Sequence, residues 1–300
     1  MQQVGKTPMA PLALMGAPGG FNPTVGLTLG AFGAAALSTM GYWWWQWPHP
    51  LVFLVNLLVL HVLGTAIHDA SHGVAHRHRF WNAAIGHASA WALGFVYPVF
   101  TRVHIQHHIH VNDPENDPDH FVSTGGPLWL VAVRFFYHEM YFFQRRLWRK
   151  YELLEWLLTR MTQIGALVVA HQLGCLSYIM GYWFVPAGIV GLLLGLFFDY
   201  LPHRPFQERD RWKNARVYPS PLVNLLLLGQ NYHLVHHLWP SVPWYYYQKA
   251  YWEMKPLLDE RESPQTLGLL QSLSDLGGFL YDVFLGIRFH HGQKQTPSPD

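Results

Sequence analysis

Long apolar runs alternate with polar stretches along this chain. Three runs carry no acidic or basic side chain and at most one histidine; they cover residues 24–45, 50–67 and 164–198. A helix needs about 17–25 such residues to cross the hydrocarbon core of a bilayer. The first two runs predict one span each, and the third, interrupted near Gly181, Tyr182 and Pro186, predicts two. We therefore expect an all-α integral membrane protein with about four transmembrane helices.

The composition favours the same class. Half of the 300 residues are apolar, 16% are aromatic and 13% are charged, whereas soluble domains carry about 25% charged residues. The net charge of +2 is too small to predict a nucleic-acid partner. Cys175 is the only cysteine, which excludes an intrachain disulfide framework and a cysteine-based zinc site.

The two ends of the chain are more polar than its middle. Residues 1–23 are rich in proline and glycine and predict a disordered leader, residues 24–285 predict a single membrane domain, and residues 286–300 predict a polar tail. A cleaved signal peptide is the alternative for the N-terminal part. The run at 24–45 is longer than a signal core of about 7–15 residues and ends in aromatic side chains, so we expect the first helix to remain.

The basic residues predict how the chain is oriented. No Lys or Arg lies between Thr7 and His76 or between Met161 and His203, and the tryptophan-rich link after the first run resembles an interfacial aromatic belt. Because basic loops stay in the cytoplasm, we expect both termini and all the histidine motifs described below on the cytoplasmic side.

Two further segments are predicted to touch the membrane without crossing it. Residues 81–100 are apolar but contain Gly86, Gly94 and Pro98, and both flanks lie on one side, so they predict a re-entrant or in-plane segment. Residues 128–143 mix apolar and polar side chains and lead into a basic run at 145–150. This pattern predicts an interfacial helix whose basic end meets anionic lipid headgroups or an acidic protein partner.

Histidines recur at helical spacing in three places. Their numbers are His68 and His72, then His104, His107 and His108, then His233, His236 and His237. Residues three and four apart lie on one face of a helix, about 5–6 Å from each other, and neutral imidazole is a ligand for zinc, copper, iron and nickel. A single buried histidine is often structural, but three such groups predict a metal centre. His203 stands alone between the second and third groups.

Several polar side chains near the histidines are candidate partners of the ligands. A ligating imidazole usually donates its other N–H to a carboxylate or carbonyl, and the candidates for this role are Asp69, Asp113, Asp117 and Asn231. Asp199 lies four residues before His203 at a membrane boundary, where a carboxylate is costly unless it is paired or functional. Asp199 is therefore a candidate ligand, and a simple ion pair with Arg204 is the alternative.

Nine histidines exceed what one metal ion can hold. A tetrahedral zinc site takes four ligands, whereas two octahedral ions offer about twelve positions. Nine imidazoles would leave a few of these positions for dioxygen or a bridging oxygen. Iron is the metal we expect because it is redox-active, and an iron pair at the end of apolar helices suits oxidation of an unactivated C–H bond in a lipid-dissolved substrate.

The motifs resemble those of a known superfamily. HDxxH at 68–72 and HxxHH at 104–108 and 233–237 resemble the membrane fatty-acid desaturase and hydroxylase superfamily, which uses a histidine-rich di-iron centre. Longer stretches at 100–129, 135–156, 199–221 and 229–247 resemble its carotenoid branch, the cyanobacterial-type β-carotene hydroxylases. The resemblance covers about residues 50–255.

The resemblance implies ligands, activity and partners. It implies that the eight motif histidines ligate two iron ions and that His203 is the isolated extra ligand; desaturases have asparagine where this chain has Asp199. It implies hydroxylation of the β-ionone rings of β-carotene at C3 and C3′, giving zeaxanthin through β-cryptoxanthin, with dioxygen and electrons from ferredoxin or a similar donor. It also implies a thylakoid or plasma membrane of a cyanobacterium.

Other functions remain open at this point. Within the superfamily they are a carotenoid ketolase and an acyl-lipid desaturase. A metal transporter would need polar ligands deep within several spans, whereas these motifs lie at span ends. A membrane cytochrome would pair single histidines on facing helices, not three within five residues.

Overall fold

The computed structural model describes residues 9–269 and 272–286, and in this part of the chain the regular structure is helical. The helices are α1 (Pro23–Trp43), α2 (His49–Ser71), α3 (Arg79–Leu93), α4 (Tyr97–His110), α5 (Pro118–Thr124), α6 (Val131–Arg134), α7 (Phe136–Gln144), α8 (Lys150–Gln172), α9 (Leu176–Ile179), α10 (Val185–Leu194), α11 (Leu201–His203), α12 (Pro221–Leu227), α13 (His233–Leu238), α14 (Tyr247–Glu260) and α15 (Leu273–Phe284). Short 3₁₀ turns cover Leu12–Leu14, Leu128–Leu130, Gln230–Tyr232 and Trp244–Tyr246.

Four helical segments are long and apolar enough to cross a membrane. They are α1, α2, α8 and the segment Leu176–His203, here called the fourth span. The fourth span is continuous because π-helical turns at Met180–Phe184 and Gly195–Tyr200 join α9, α10 and α11. The prediction of an all-α membrane protein with about four spans is confirmed.

The position of the break in the third apolar run was predicted wrongly. The third span, α8, ends at Gln172 and the fourth begins at Leu176, so the break lies near Gly174 and not at residues 181–186. Gly174 has a φ of 72°, a left-handed conformation that ends a helix and that glycine adopts without steric cost. Pro186 lies within the continuous fourth span, and the Tyr182 carbonyl four residues before it accepts from Asn56 Nδ2 at 2.9 Å, so the missing proline N–H leaves no carbonyl unpartnered there.

Helices α3 and α4 form a bent pair that includes residues 81–100, the segment predicted to be re-entrant or in-plane. They are bent by 97° at the short break between them, and Gly94 caps α3 with a φ of 79°. The Tyr97 ring packs against Gly86, where a Cβ would overlap it, and its hydroxyl donates to the Ala70 carbonyl at 2.7 Å. This contact ties the bend to the end of α2, which carries the first histidine motif.

The two largest buried clusters among the described residues hold most of the helices together. One joins the spans, with Leu60, Leu63 and Ile67 of α2 packed near Val190 of the fourth span. The other lies around α13 and α14 and includes Tyr232, Leu234, Tyr251, Met254 and Leu258. The first motif therefore emerges from a span packed against the fourth span, and the third lies within its own core.

The N-terminal segment is folded where the structure describes it. Leu14 is buried in the cluster around α13, Gly16 N–H donates to the Ser241 carbonyl at 2.7 Å, and Arg77 N–H donates to the Pro18 carbonyl at 2.7 Å. This differs from the disordered leader that the composition predicted, because one apolar side chain and a few backbone hydrogen bonds hold residues 9–22. Residues 1–8 and the part 287–300 of the predicted tail lie outside the described residues.

The close contact at Gly86 predicts a specific sensitivity to substitution. Gly86→Ala should lower the free energy of unfolding by about 1–3 kcal/mol, because the new methyl group must displace the Tyr97 ring. The control is Gly165→Ala in α8, where a Cβ has nothing within 4 Å. Thermal unfolding in detergent measures both, and equal midpoints for the two variants would contradict the packing described here.

Candidate metal centre

Four elements bring the nine predicted ligands together. The last turn of α2 carries His68, and His72 caps that helix at its C-terminus. Helix α4 carries the second motif, α13 carries the third, and His203 ends the fourth span. The predicted ligands thus meet where two spans, the bent pair of α3 and α4, and the buried cluster around α13 come together.

The nine side chains form two groups, and neither group corresponds to a single motif. In each group, one ring nitrogen of every histidine lies within 4.8 Å of the corresponding nitrogens of the other three. The first group is His68, His72, His104 and His236. The second group is His107, His203, His233 and His237. His108 lies beside both groups, with its Nε2 at 2.8 Å from His236 Nε2 and its ring stacked on His237 at 4.3 Å. Each group therefore takes ligands from three elements.

The inner nitrogens of the rings converge within each group. His68 Nε2 lies 3.0 Å from His236 Nε2, and His104 Nε2 lies 2.8 Å from His72 Nε2. In the other group His237 Nε2 lies 3.0 Å from His233 Nε2. Burial, followed by the neighbouring His68, lowers the pKa of His236 well below its ordinary value. A neutral imidazole has a free lone pair, which is the form that binds metal.

Outer nitrogens of three rings have partners that fix the rings. His107 Nδ1–H donates to Asp117 Oδ1 at 2.9 Å, and His203 Nδ1–H donates to the Asn214 carbonyl at 2.9 Å. His236 Nδ1 lies 2.9 Å from the Tyr247 hydroxyl. Such contacts orient an imidazole and leave Nε2 for the ion. His203 Nε2 is buried and has no hydrogen-bond partner among the described residues.

Asp117 is the predicted carboxylate that contacts a candidate ligand. It also caps α5, since Oδ1 accepts from Asp119 N–H at 2.9 Å, and Oδ2 accepts from Asn112 N–H at 2.8 Å. Asp119 continues this chain of contacts: it lies 3.6 Å from His107 Nδ1 and 2.7 Å from His138 Nε2. Burial raises the pKa of Asp119, but His107 and His138 outweigh it and lower the pKa overall.

The other predicted partners have different contacts. Asp69 accepts from Thr24 Oγ1 at 2.9 Å and from Trp244 N–H at 3.3 Å. Asp113 pairs with Arg209 at 3.4 Å, and Asn231 Nδ2 donates to the Tyr218 carbonyl at 3.1 Å. For these three residues the structure gives partners other than imidazole.

Asp199 lies beside the centre without joining either group of four. Its Oδ2 accepts from Ser123 Oγ at 2.6 Å, and its Oδ1 is buried without a hydrogen-bond partner among the described residues. Arg204, the predicted alternative partner, lies 3.3 Å from Asp282. The structure therefore gives Asp199 a hydroxyl partner in place of the ion pair.

Sequence reasoning missed Tyr247, the Asn214 carbonyl and the pair of Asp119 and His138. Tyr247 lies on α14, and a backbone carbonyl leaves no trace in the residue types. Asp119 could have been found, because it belongs to the same acidic loop as Asp117.

The donor set fits two transition-metal ions. Two groups of four buried imidazoles, with His108 beside both, offer nitrogen ligands of the kind that zinc, copper, iron and nickel prefer. The unpartnered Nε2 of His203 is the kind of atom that a bound ion would satisfy.

The contact between His107 and Asp117 predicts an effect on metal affinity. Asp117→Asn keeps a side chain that can cap α5 but removes the negative charge, so metal affinity should fall about 10–100-fold. Asp113→Asn is the matched control in the same loop, since Asp113 pairs with Arg209. Metal content after dialysis against graded chelator measures the change, and equal retention by both variants would contradict the assigned role.

Comparison with known proteins identifies the family. The sequence model of the fatty acid desaturase family matches residues 42–267. A dihydrorhizobitoxine desaturase of Bradyrhizobium elkanii is 28% identical, over 72% of this chain and 70% of that protein. A beta-carotene ketolase of Paracoccus sp. (strain PC1) is 33% identical, over 66% of this chain and 78% of that protein. A zeaxanthin 4-ketolase of Chlamydomonas reinhardtii is 27% identical, over 59% of this chain and 38% of that protein. This chain belongs to the fatty acid desaturase family.

Proposed function

We propose that the protein is a non-haem di-iron monooxygenase that hydroxylates the β-ionone rings of β-carotene at C3 and C3′. The product is zeaxanthin, formed through β-cryptoxanthin. The observation that carries the proposal is that two groups of buried imidazoles lie where apolar spans end. A substrate dissolved in the bilayer can reach such a site without entering water.

The reaction needs a redox metal and an external source of electrons. Hydroxylation converts a C–H bond and dioxygen into a C–OH group and water, and it consumes two electrons and two protons. Two bound iron ions would supply the activation of dioxygen. The chain itself would hold the ions through the nine imidazoles, orient His107 through Asp117 and keep bulk water from the buried groups.

The carotenoid substrate is supported by the relatives and by the motifs. Proteins named beta-carotene ketolase are 33% identical to this chain, and another relative is named zeaxanthin 4-ketolase. The long motif stretches resemble hydroxylases of the same branch. A second candidate function is ring ketolation, which the identity to the two Paracoccus proteins favours. Acyl-lipid desaturation is the third, because an acyl-lipid (7-3)-desaturase of Diacronema lutheri is 35% identical over 34% of this chain.

The electron donor in this proposal is ferredoxin or a similar acidic protein. The basic residues after α7 are Arg145, Arg146, Arg149 and Lys150, and they offer it a surface of opposite charge. Arg145 also donates to the Glu115 carbonyl at 2.7 Å, in the loop that carries Asp117. The site and both termini would then lie on the cytoplasmic side of a cyanobacterial thylakoid or plasma membrane.

Product analysis tests the substrate and the reaction together. Expression in a bacterium that accumulates β-carotene should yield hydroxylated xanthophylls, with β-cryptoxanthin appearing before zeaxanthin. Pigments separated by chromatography and identified by mass give the answer. Keto-carotenoids alone would establish the ketolase instead, and unchanged carotene beside altered acyl chains would establish the desaturase.

Metal analysis tests the number and kind of ions. Active purified protein should contain about two irons per chain, because nine imidazoles exceed what one ion can hold. His107→Ala should abolish activity and lower the iron content. His171→Ala, on the exposed surface of α8, is the control and should retain both. Full activity with one iron per chain, or with zinc alone, would refute the proposal.

Asp199 is tested by substitutions that separate charge from shape. Asp199→Asn should lower activity or iron affinity about 10–100-fold, the range expected when a group beside a ligand is lost, and a larger loss would indicate direct ligation. Ser123→Ala is the control that keeps the negative charge of Asp199, because it removes only the hydroxyl that donates to this carboxylate. If Asp199→Asn leaves iron and turnover per folded molecule unchanged, Asp199 has no role at the metal.

A further inference from the structure

Two fully buried polar side chains near the metal centre have no partner in the described protein. Thr65 and Gln230 are 0% exposed. Thr65 Oγ1 and both Gln230 side-chain atoms, Oε1 and Nε2, make no hydrogen bond with the described residues. Buried polar atoms are nearly always hydrogen-bonded, so such atoms point to a partner that is not part of the protein.

Both side chains stand one turn away from a candidate ligand. Thr65 precedes His68 by three residues on α2, and Gln230 precedes His233 by three residues on the 3₁₀ turn that leads into α13. Residues at this spacing share a helix face. Asp199, whose Oδ1 is also unpartnered, precedes His203 by four residues in the fourth span. The same arrangement therefore occurs on three separate elements.

The elements that carry the three side chains are neighbours in the fold. A Cβ at Gly64 would lie 3.2 Å from Leu194, so α2 packs against the fourth span next to Thr65. Tyr218 joins the fourth span to the turn with Gln230, because its hydroxyl donates to the Phe197 carbonyl at 3.3 Å and its N–H donates to the Asn231 carbonyl at 2.9 Å. We call Thr65, Asp199 and Gln230 the polar layer; each of them stands one helical turn before a candidate ligand.

A ring made only of hydrocarbon offers no hydrogen bond to the side chains of the polar layer. Apolar side chains would bind such a ring better, since every unpartnered polar group that the ring covers stays unsatisfied. An oxygen atom on the ring can satisfy these polar atoms by hydrogen bonding to them. A ring hydroxyl can donate to Gln230 Oε1 and accept from Thr65, and a ring ketone can accept from Gln230 Nε2.

We infer that Thr65 and Gln230 determine substrate specificity by hydrogen bonding an oxygen atom on the terminal ring that is bound at the metal centre. The inference rests on the proposed carotenoid function and names the preferred class of ring, one that already carries a hydroxyl or keto group. Bare rings are accepted, but they bind more weakly. A site that hydrogen-bonds a polar group on its substrate discriminates strongly against an analogue without that group.

Two nearly isosteric variants test the inference. Thr65→Val and Gln230→Leu remove the polar atoms with little change of volume, and replacing an unpartnered buried group in this way leaves stability unchanged or higher. Ser89→Ala in α3 is the matched control, because Ser89 Oγ is also buried and unpartnered but does not stand one helical turn before a candidate ligand. Thermal unfolding verifies that all three variants fold.

The variants are assayed as iron-loaded enzyme with three substrates. One has bare rings, one has a keto group at C4 that leaves C3 free, and one has a hydroxyl at C3 that leaves C4 free. For whichever oxygenated ring the wild type oxidises, each variant should raise KM about tenfold, as expected for the loss of one hydrogen bond. KM for bare rings should stay unchanged or fall, and Ser89→Ala should alter neither. Equal losses for both kinds of ring, or no change, would overturn the inference.

A second readout does not depend on turnover. Protein purified from cells that contain both bare and oxygenated carotenoids retains a mixture, and the retained share of oxygenated pigment should fall about tenfold in each variant. If the wild type oxidises no ring while this share still falls, the proposed function fails and the polar layer stands. If the wild type hydroxylates rings while neither KM nor the retained share moves, the inference alone fails.

Discussion

The structure depends on bringing nine imidazoles together at the end of apolar helices. Each of the two groups draws on three elements, so α2, α4, the fourth span and α13 must keep their relative positions for either group to form. Burying so many polar rings is costly unless each finds a partner. Metal ions bound by the inner nitrogens would offset that cost in free energy and would link the four elements to one another.

The contacts around the groups fit this constraint. Asp117, the Asn214 carbonyl and Tyr247 hold outer nitrogens of rings from α4, the fourth span and α13. The bend between α3 and α4 is fixed to the end of α2 through Tyr97. Rigid helices and buried hydrogen bonds therefore position the site, which is the arrangement that oxidation of an unactivated C–H bond requires. In the inference drawn above, the polar layer selects among the rings that reach the metal centre.

Local patterns in the sequence predicted most of the fold and which histidines lie together, because helices and motif spacing depend on residues close in the chain. Histidines three and four apart had to share a helix face, and apolar runs had to form spans. The grouping of His236 with His68, and of His203 with His107, depends on long-range packing that spacing cannot encode. The break at Gly174 was missed because Pro186 was a stronger signal, but Pro186 lies within the continuous fourth span, where Asn56 donates to the Tyr182 carbonyl four residues before the proline. Asp69 was placed near a ligand by sequence proximity, but the side chain turns to Thr24.

The central claim is that two ions share nine histidine ligands drawn from both halves of the chain. X-ray absorption at the iron edge of the active protein tests it most directly, because imidazole rings give a recognisable pattern of outer-shell scattering. The account predicts nitrogen and oxygen neighbours with about four or five imidazoles per iron, following from the eight grouped histidines and His108. A shell dominated by carboxylate oxygens, or one with fewer than about three imidazoles per iron, would contradict it.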